Sequence, residues 1–434
     1  MRGRKGQGAA AQDSAECTLS IAICAPARLQ WKPSPSGPCR HRNAKDRHPD
    51  ERSRRQALRP DPIPDGLRPR TRLPYDSAMP DADLRAHRAE LDRLASMPKV
   101  VLHDHLDGSL RAGTLLDLLA ARGLPAPADD AAGIEAWMDA RAHAGTLEAY
   151  LEGFALTVAA MADPQALARV ASEAAQDALA EGAVLAEFRI APLLFEPLGI
   201  EPDLAVEALL DGLARSELRC GLIVCAMRHE PPAQTERAAA LALRWRDRGV
   251  LGFDLAGAEA GFPAGVHAQA LQLLRRAELP LTLHAGEADD GHRVLEAVAH
   301  GARRIGHGVR IASLLDAPEG AAQVDALRSA GVHFEVCPTS NLHTGAATSI
   351  PTHPIRAMWR AGLSLSVQCD NRLISGVSAS GEALRLRLHA GFGDADLLRM
   401  GLQAAEASFH APAARQAARA ALLAWGQAQG IVGA

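Results

Sequence analysis

His103 and His105 stand two residues apart at the end of the apolar run Lys99-Val-Val-Leu-His-Asp-His-Leu-Asp-Gly-Ser109. Side chains i and i+2 of a strand point the same way. The pair can therefore present two imidazoles to one metal ion, and neutral imidazole is a common zinc ligand. The alternative is two histidines that merely share a turn, so partners must be sought elsewhere. Five later apolar runs end in polar groups: Asp254-Leu-Ala-Gly257, Thr282-Leu-His-Ala-Gly-Glu287, Ile305-Gly-His-Gly308, Cys337-Pro-Thr-Ser-Asn341 and Gln368-Cys-Asp-Asn371. Each alone reads equally as a satisfied polar residue at a strand end. Five of them beside the histidine pair point to one site.

The metal set drawn from these residues is His103, His105, His284 and Asp370. Three neutral imidazoles and one carboxylate leave a zinc site with a net charge of about +1, which can bring the pKa of a bound water to roughly 7. Four protein donors plus water make an open, catalytic arrangement, with one Zn2+ per subunit. Glu287, three residues past His284, is placed to act as a general acid. Its alternative is a glutamate opening the next helix, where negative charge is favourable. His307, between two glycines that let substrate or metal approach the backbone, can steer the attacking water or take its proton. Its alternative is a histidine in a plain glycine turn.

These residues need a frame that brings distant parts of the chain together. Short β-rich runs occur at 99–105, 184–190, 220–227, 250–255, 281–284, 304–306, 332–336 and 363–367, most of them separated by Ala/Leu/Arg-rich helical segments. Strands alternating with helices imply a parallel sheet. Eight such units predict an α/β fold, a closed (β/α)8 TIM barrel, whose chemistry gathers at the C-terminal strand ends. A doubly wound sheet is the other candidate, but the Gly-rich fingerprint is missing after the first strand. Extra helices are expected over 111–180, after the first strand, and over 382–388, 397–407 and 413–428 at the C-terminus. The apolar residues of 111–180 are core by default, and some can roof a pocket.

The chain has 434 residues, 47% of them hydrophobic, ample for a large core. Charge is unevenly spread. Residues 1–78 hold 16 Lys/Arg against 8 Asp/Glu, whereas the remainder holds 31 against 43. The first segment is rich in proline and arginine and lacks apolar periodicity, so it is expected to be a disordered, non-functional leader, with Met79 as an alternative start. A basic tether is the other reading. The barrel is expected over 79–434. Its acidic balance argues against a nucleic-acid polymer as ligand, and no apolar run is long enough for a bilayer. Seven cysteines, none in C-x-x-C spacing, suit a reducing cytoplasm rather than a disulfide framework. Oligomeric state is not encoded in any of these patterns.

The blocks PKVVLHDHLDGS, DLAG followed by Glu259, TLHAGE, RIGHG, EVCPTSN and a strand-eight Asp, spread in order over residues 98–371, resemble the adenosine deaminase family of amidohydrolase-type barrels. The resemblance does not cover residues 1–78. It implies zinc-dependent hydrolytic deamination of adenosine and 2′-deoxyadenosine, part of purine salvage. It further implies that His103, His105, His284 and Asp370 hold zinc, that Glu287 protonates the purine ring nitrogen, and that His307 orients the nucleophile. Substrate contacts are implied for His105, Asp107 at the ribose, Gly257 through its backbone, and Asn371. Two positions depart from the family pattern. Asn371 stands where a second Asp is usual; facing an acceptor nitrogen, an amide donates in any protonation state, whereas a carboxyl must be protonated to do so. Cys369 replaces a small polar residue. Competing readings are an adenine deaminase, a deaminase of a modified adenosine, a more distant hydrolase of the same barrel, and a catalytically inactive binding relative. Asp107 favours a nucleoside, because relatives acting on the free base tend to carry Glu there.

Overall fold

The computed structural model describes residues 86–143, 147–315 and 318–431. The expected leader at 1–78 and Met79 lie outside the described residues. Eight strands follow one another: β1 Lys99–Val101, β2 Ala183–Ile190, β3 Cys220–Met227, β4 Val250–Ala256, β5 Thr282–Ala285, β6 Arg304–His307, β7 His333–Val336 and β8 Ser364–Val367. Every pairing is parallel, in two sheets of order β1-β2-β3-β4 and β5-β6-β7-β8. Two isolated parallel bridges, Phe253↔Leu281 and Asp104↔Asp370, join the sheets at both seams. The ring is thereby closed, and the expected (β/α)8 barrel is the observed fold.

Apolar strand faces and helix stripes bury each other around the ring. Phe188, Phe253 and Phe334 are wholly buried in the layer that also takes in Leu209, Leu271 and Ile305. Helix starts follow local chemistry. Asp163 caps the helix Pro164–Ala180 by accepting from the amides of Gln165 and Ala166, at 2.9 and 3.0 Å, and Pro164 has no N–H to satisfy. Four helices, Ala112–Ala121, Ala131–Ala142, Leu147–Met161 and Pro164–Ala180, fill the segment between β1 and β2. Gly153 in the third lies against Met138 and Ile374, so this insertion packs beside the short helix Arg372–Ser375 that follows β8. Helices Ala379–Ala390, Asp394–Ala407 and Pro412–Ala428 complete the outer ring. No described helix is long and apolar enough to cross a membrane.

The barrel interior is ion-paired. Arg189 on β2 donates to Asp254 on β4 at 2.7 Å and to Glu335 on β7 at 2.6 Å. Arg304 on β6 pairs with Glu187 on β2 and Glu335, both at 2.6 Å. All five side chains are buried, a placement that charges tolerate only when paired and hydrogen-bonded.

β1 is shorter than expected. It ends at Val101 because the side-chain oxygen of Gln368 accepts from the amides of Leu102 and His103, at 2.9 and 3.3 Å, interrupting the ladder. Pairing resumes beyond the interruption: Asp370 N donates to His103 O at 3.1 Å, and His105 N to Asp370 O at 2.8 Å. The histidine pair thus sits on the β8–β1 seam rather than inside a regular strand.

Candidate metal centre

Each candidate donor stands at or just beyond the C-terminal end of a strand. His103 and His105 follow β1, His284 is the third residue of β5, and Asp370 lies three residues past β8. One ligand atom from each of the four lies within 4.8 Å of the others. His105 Nε2 is 3.3 Å from His284 Nε2, and Asp370 Oδ1 is 3.2 Å from His103 Nε2 and 3.4 Å from His105 Nε2.

What aims these rings is a layer of partners behind them. His103 Nδ1 meets Glu335 Oε2 at 2.9 Å, and His284 Nδ1 meets Asp254 Oδ2 at 2.9 Å. With Nδ1 taken by a carboxylate, each ring turns Nε2 inward as the nitrogen available to a metal. His103 Nε2 is fully buried and makes no well-directed hydrogen bond among the described residues, its 3.2 Å neighbour Asp370 Oδ1 belonging to the same donor set. An orphaned inward nitrogen, in a set of three imidazoles and one carboxylate, fits a metal ion. Ser340 Oγ donates to Asp370 Oδ2 at 2.6 Å and fixes that carboxylate. Burial pushes Asp254 up, but the neighbouring His284 and Arg189 outweigh it and hold the carboxyl well below its ordinary value. Glu335 is held low in the same way, burial being outweighed by Arg189, Arg304 and the His103 hydrogen bond.

His307 ends β6 beside the set. Its Nδ1 is 3.0 Å from Asn341 Nδ2, and its Nε2 is 3.4 Å from Glu287 Oε2. Glu287 is half-buried, and its Oε1 accepts from Thr344 Oγ1 at 3.0 Å. His307 and Asp370 have φ of 59° and 65°, two of the three non-glycine residues with left-handed backbone among the described residues. Such a conformation costs about 1–3 kcal/mol and persists where the surroundings over-determine it. Gly306 also makes room for a candidate donor ring: a Cβ there would lie 2.9 Å from His103 Cε1.

Asp107 lies in the 3-10 turn Leu106–Gly108 and is buried. Burial pushes its carboxyl up to about 7, and its Oδ1 has no hydrogen-bond partner among the described residues. Asn371 is buried next to Asp370 and close against this turn; a Cβ on Gly108 would fall 2.0 Å from Asn371 Oδ1. Gly257, with φ of 88°, is exposed just past β4, beside His229. The structure thus gathers His103, His105, His284, Asp370, His307 and Glu287 tightly, sets Asp107 and Asn371 at the β8–β1 side, and leaves Gly257 at the rim.

Glu335, Arg189, Ser340 and Thr344 were not assigned from sequence. For the first two a signal existed: a charge inside an apolar run, as in Ala-Glu-Phe-Arg-Ile and His-Phe-Glu-Val, is buried if the run is buried, and a buried charge requires a partner. Ser340 and Thr344 carry no comparable mark.

Comparison with known proteins adds the family. The sequence model described as Adenosine deaminase matches residues 98–424. The chain is 41% identical over 335 residues to the adenosine deaminase of Mycobacterium marinum, covering 74% of this chain and 92% of that one. Among solved structures it is similar to an amidohydrolase from Burkholderia ambifaria with bound Zn, at 26% identity and a TM-score of 0.69, covering 79% of this chain and 94% of that one. It is also similar to the apo N6-methyl-AMP deaminase of Arabidopsis thaliana, at 26% identity and a TM-score of 0.66, covering 77% and 98%.

Proposed function

The chain belongs to the adenosine deaminase family, and from that premise we propose that it hydrolyses adenosine and 2′-deoxyadenosine to inosine and 2′-deoxyinosine, releasing ammonia in purine salvage. The observation that carries this reading is the inward-facing donor set His103, His105, His284 and Asp370, with its orphaned Nε2. Those four residues would hold one zinc ion. When bound, zinc supplies Lewis acidity that makes water acidic enough to yield a nucleophile near neutral pH.

The protein's own groups do the rest. Attack at the amino-bearing carbon pushes electron density onto the adjacent ring nitrogen. Glu287, one oxygen fixed by Thr344, protonates that nitrogen from the other and so stabilises the transition state. His307, anchored by Asn341, directs Nε2 toward the same space, where it steers the attacking water and accepts its proton. The amino group leaves as ammonia with the proton that His307 took, and the remaining proton of the attacking water returns to Glu287 as the water oxygen becomes the carbonyl oxygen. Asp107 receives a ribose hydroxyl, its free Oδ1 being available for that bond. Asn371 donates its amide to the imidazole-ring nitrogen of the purine, Gly257 offers its backbone to the ring, and His105 borders the substrate as well as the metal. The reading includes a cytoplasmic location, which the free thiols of Cys220, Cys225, Cys337 and Cys369 support.

The test is ammonia release by the zinc-loaded full chain from adenosine, 2′-deoxyadenosine and adenine. Both nucleosides are expected to react and adenine to react far more slowly. Glu287→Gln should lose roughly 10²–10⁴-fold in kcat while keeping its metal. No release from either nucleoside, with zinc bound, overturns the reading. Release from adenine alone overturns the ribose role of Asp107.

A further inference from the structure

Residues 286–289 carry the proposed acid Glu287, yet they form neither helix nor strand; the next helix begins only at His292. Their four consecutive backbone N–H groups all end on one side chain. Glu259 Oε1 accepts from Gly286, and Oε2 accepts from Glu287 at 2.9 Å, Ala288 at 2.8 Å and Asp289 at 3.0 Å. Glu259 stands three residues past β4 and is buried. A carboxylate is the one side-chain group with acceptor capacity for four donors and none of its own to clash with them.

Carbonyls of this turn and of the end of β5 that leads into it, residues 284–287, are held from other strands. Arg228, just past β3 and buried, donates to Leu255 O at 2.8 Å and also to His284 O. Arg310, past β6, donates its backbone N–H to Gly286 O at 2.8 Å and its side-chain Nε to Glu287 O at 3.1 Å. The end of β5 is therefore gripped by an anion on its amides and by cationic side chains on its carbonyls. This stretch carries both the donor His284 and the acid Glu287.

We propose that Glu259 is a positioning residue for the deamination: its carboxylate shapes the 286–289 turn and so fixes where the Glu287 carboxyl points, without touching substrate or metal. The inference rests on the deaminase reading for its kinetic consequence but not for its structural one. A displacement of about 1 Å at an acid of this kind costs on the order of 10²-fold in rate.

Glu259→Gln keeps the shape but turns an NH2 group toward backbone N–H donors. In the zinc-loaded full chain it is expected to lower kcat for adenosine about 100-fold, with KM within about 3-fold and metal content unchanged. Amide hydrogen exchange should accelerate about 10-fold or more over 286–289 alone. Glu259→Asp, which keeps the charge on a shorter arm, should recover part of both, and it serves as the test should the Gln variant not accumulate folded. Wild-type kcat with wild-type exchange over 286–289 overturns the proposal. So does a loss of kcat accompanied by metal loss or by faster exchange throughout the barrel, which would mark a general packing role. The exchange measurement reads the turn whether or not the wild-type chain deaminates adenosine, so failure of the deaminase reading would be seen separately.

Discussion

The two half-barrels are built differently. In the first, β2, β3 and β4 run for eight, eight and seven residues, almost wholly buried. In the second, β5 to β8 are four residues each. The first half spends its length on ladder hydrogen bonds and apolar packing. The second breaks off early, and within or just beyond its short strands come His284, Glu287, His307 and Asp370, two of them in left-handed backbone. The long strands β2 to β4 supply rigidity, whereas the short strands, the four of the second half together with three-residue β1 and the His103 and His105 that follow it, supply aim. Arg189 couples them, reaching from β2 to Asp254 in its own half and to Glu335 in the other.

This division can be broken at several points. The largest effect is expected in the second half from His284→Ala. Loss of one donor should empty the centre and lower ammonia release by at least about 10³-fold, while metal-free variant and metal-free wild type melt within a few degrees of each other. A melting point that collapses along with activity would mean that the second half is structural too. Next comes the coupling. Arg189→Met leaves Asp254 and Glu335 buried with fewer partners, and should cost about 3–5 kcal/mol in urea unfolding and weaken metal affinity about 10–100-fold. Retention of both would uncouple the halves.

A smaller effect is expected from pure packing in the first half. Leu222→Ala, at a fully buried β3 position, should cost about 2–5 kcal/mol, with kcat/KM per folded molecule nearly unchanged. A fall in turnover matching the fall in stability would erase the distinction. Smallest is a pH effect at Asp107. Its folded pKa, raised by burial to about 7, lies above the ordinary 3.8. Between these values the folded state binds the proton more tightly than the unfolded state, so stability falls as pH rises through that window. In metal-free protein, Asp107→Asn should therefore raise Tm by about 1–3 °C at pH 8 and by less at pH 4. An equal change at both would show that burial does not perturb this carboxyl.

The barrel was legible because short, mostly apolar β-rich runs recur between helical segments; the expected and observed strands agree to within a residue or two from β2 to β8. β1 was overextended because the agent that cuts it short, the Gln368 side chain, lies more than 260 residues away. Histidines and carboxylates at strand ends were legible because few structural roles demand them at so many ends at once. Their supports were not, since Ser340 and Thr344 differ in no local way from any other hydroxyl. The left-handed backbone of His307 and Asp370 was equally hidden: Asp and His adopt it more often than most residues, but still so seldom that residue type alone does not mark the position.

The β8–β1 seam has a consequence for how the molecule is made. The donors meet across Asp104↔Asp370, so they are among the most widely separated partners in the barrel. At about 5–20 residues per second of synthesis, roughly a quarter of a minute to a minute passes between the emergence of His105 and that of Asp370. During that interval β1 is an open edge, and His103 and His105 are bare imidazoles available to any passing ion. The donor set is complete only once all eight strands have emerged, with the C-terminal helices still to follow. A transcript truncated after seven strands would yield most of the scaffold and none of the chemistry.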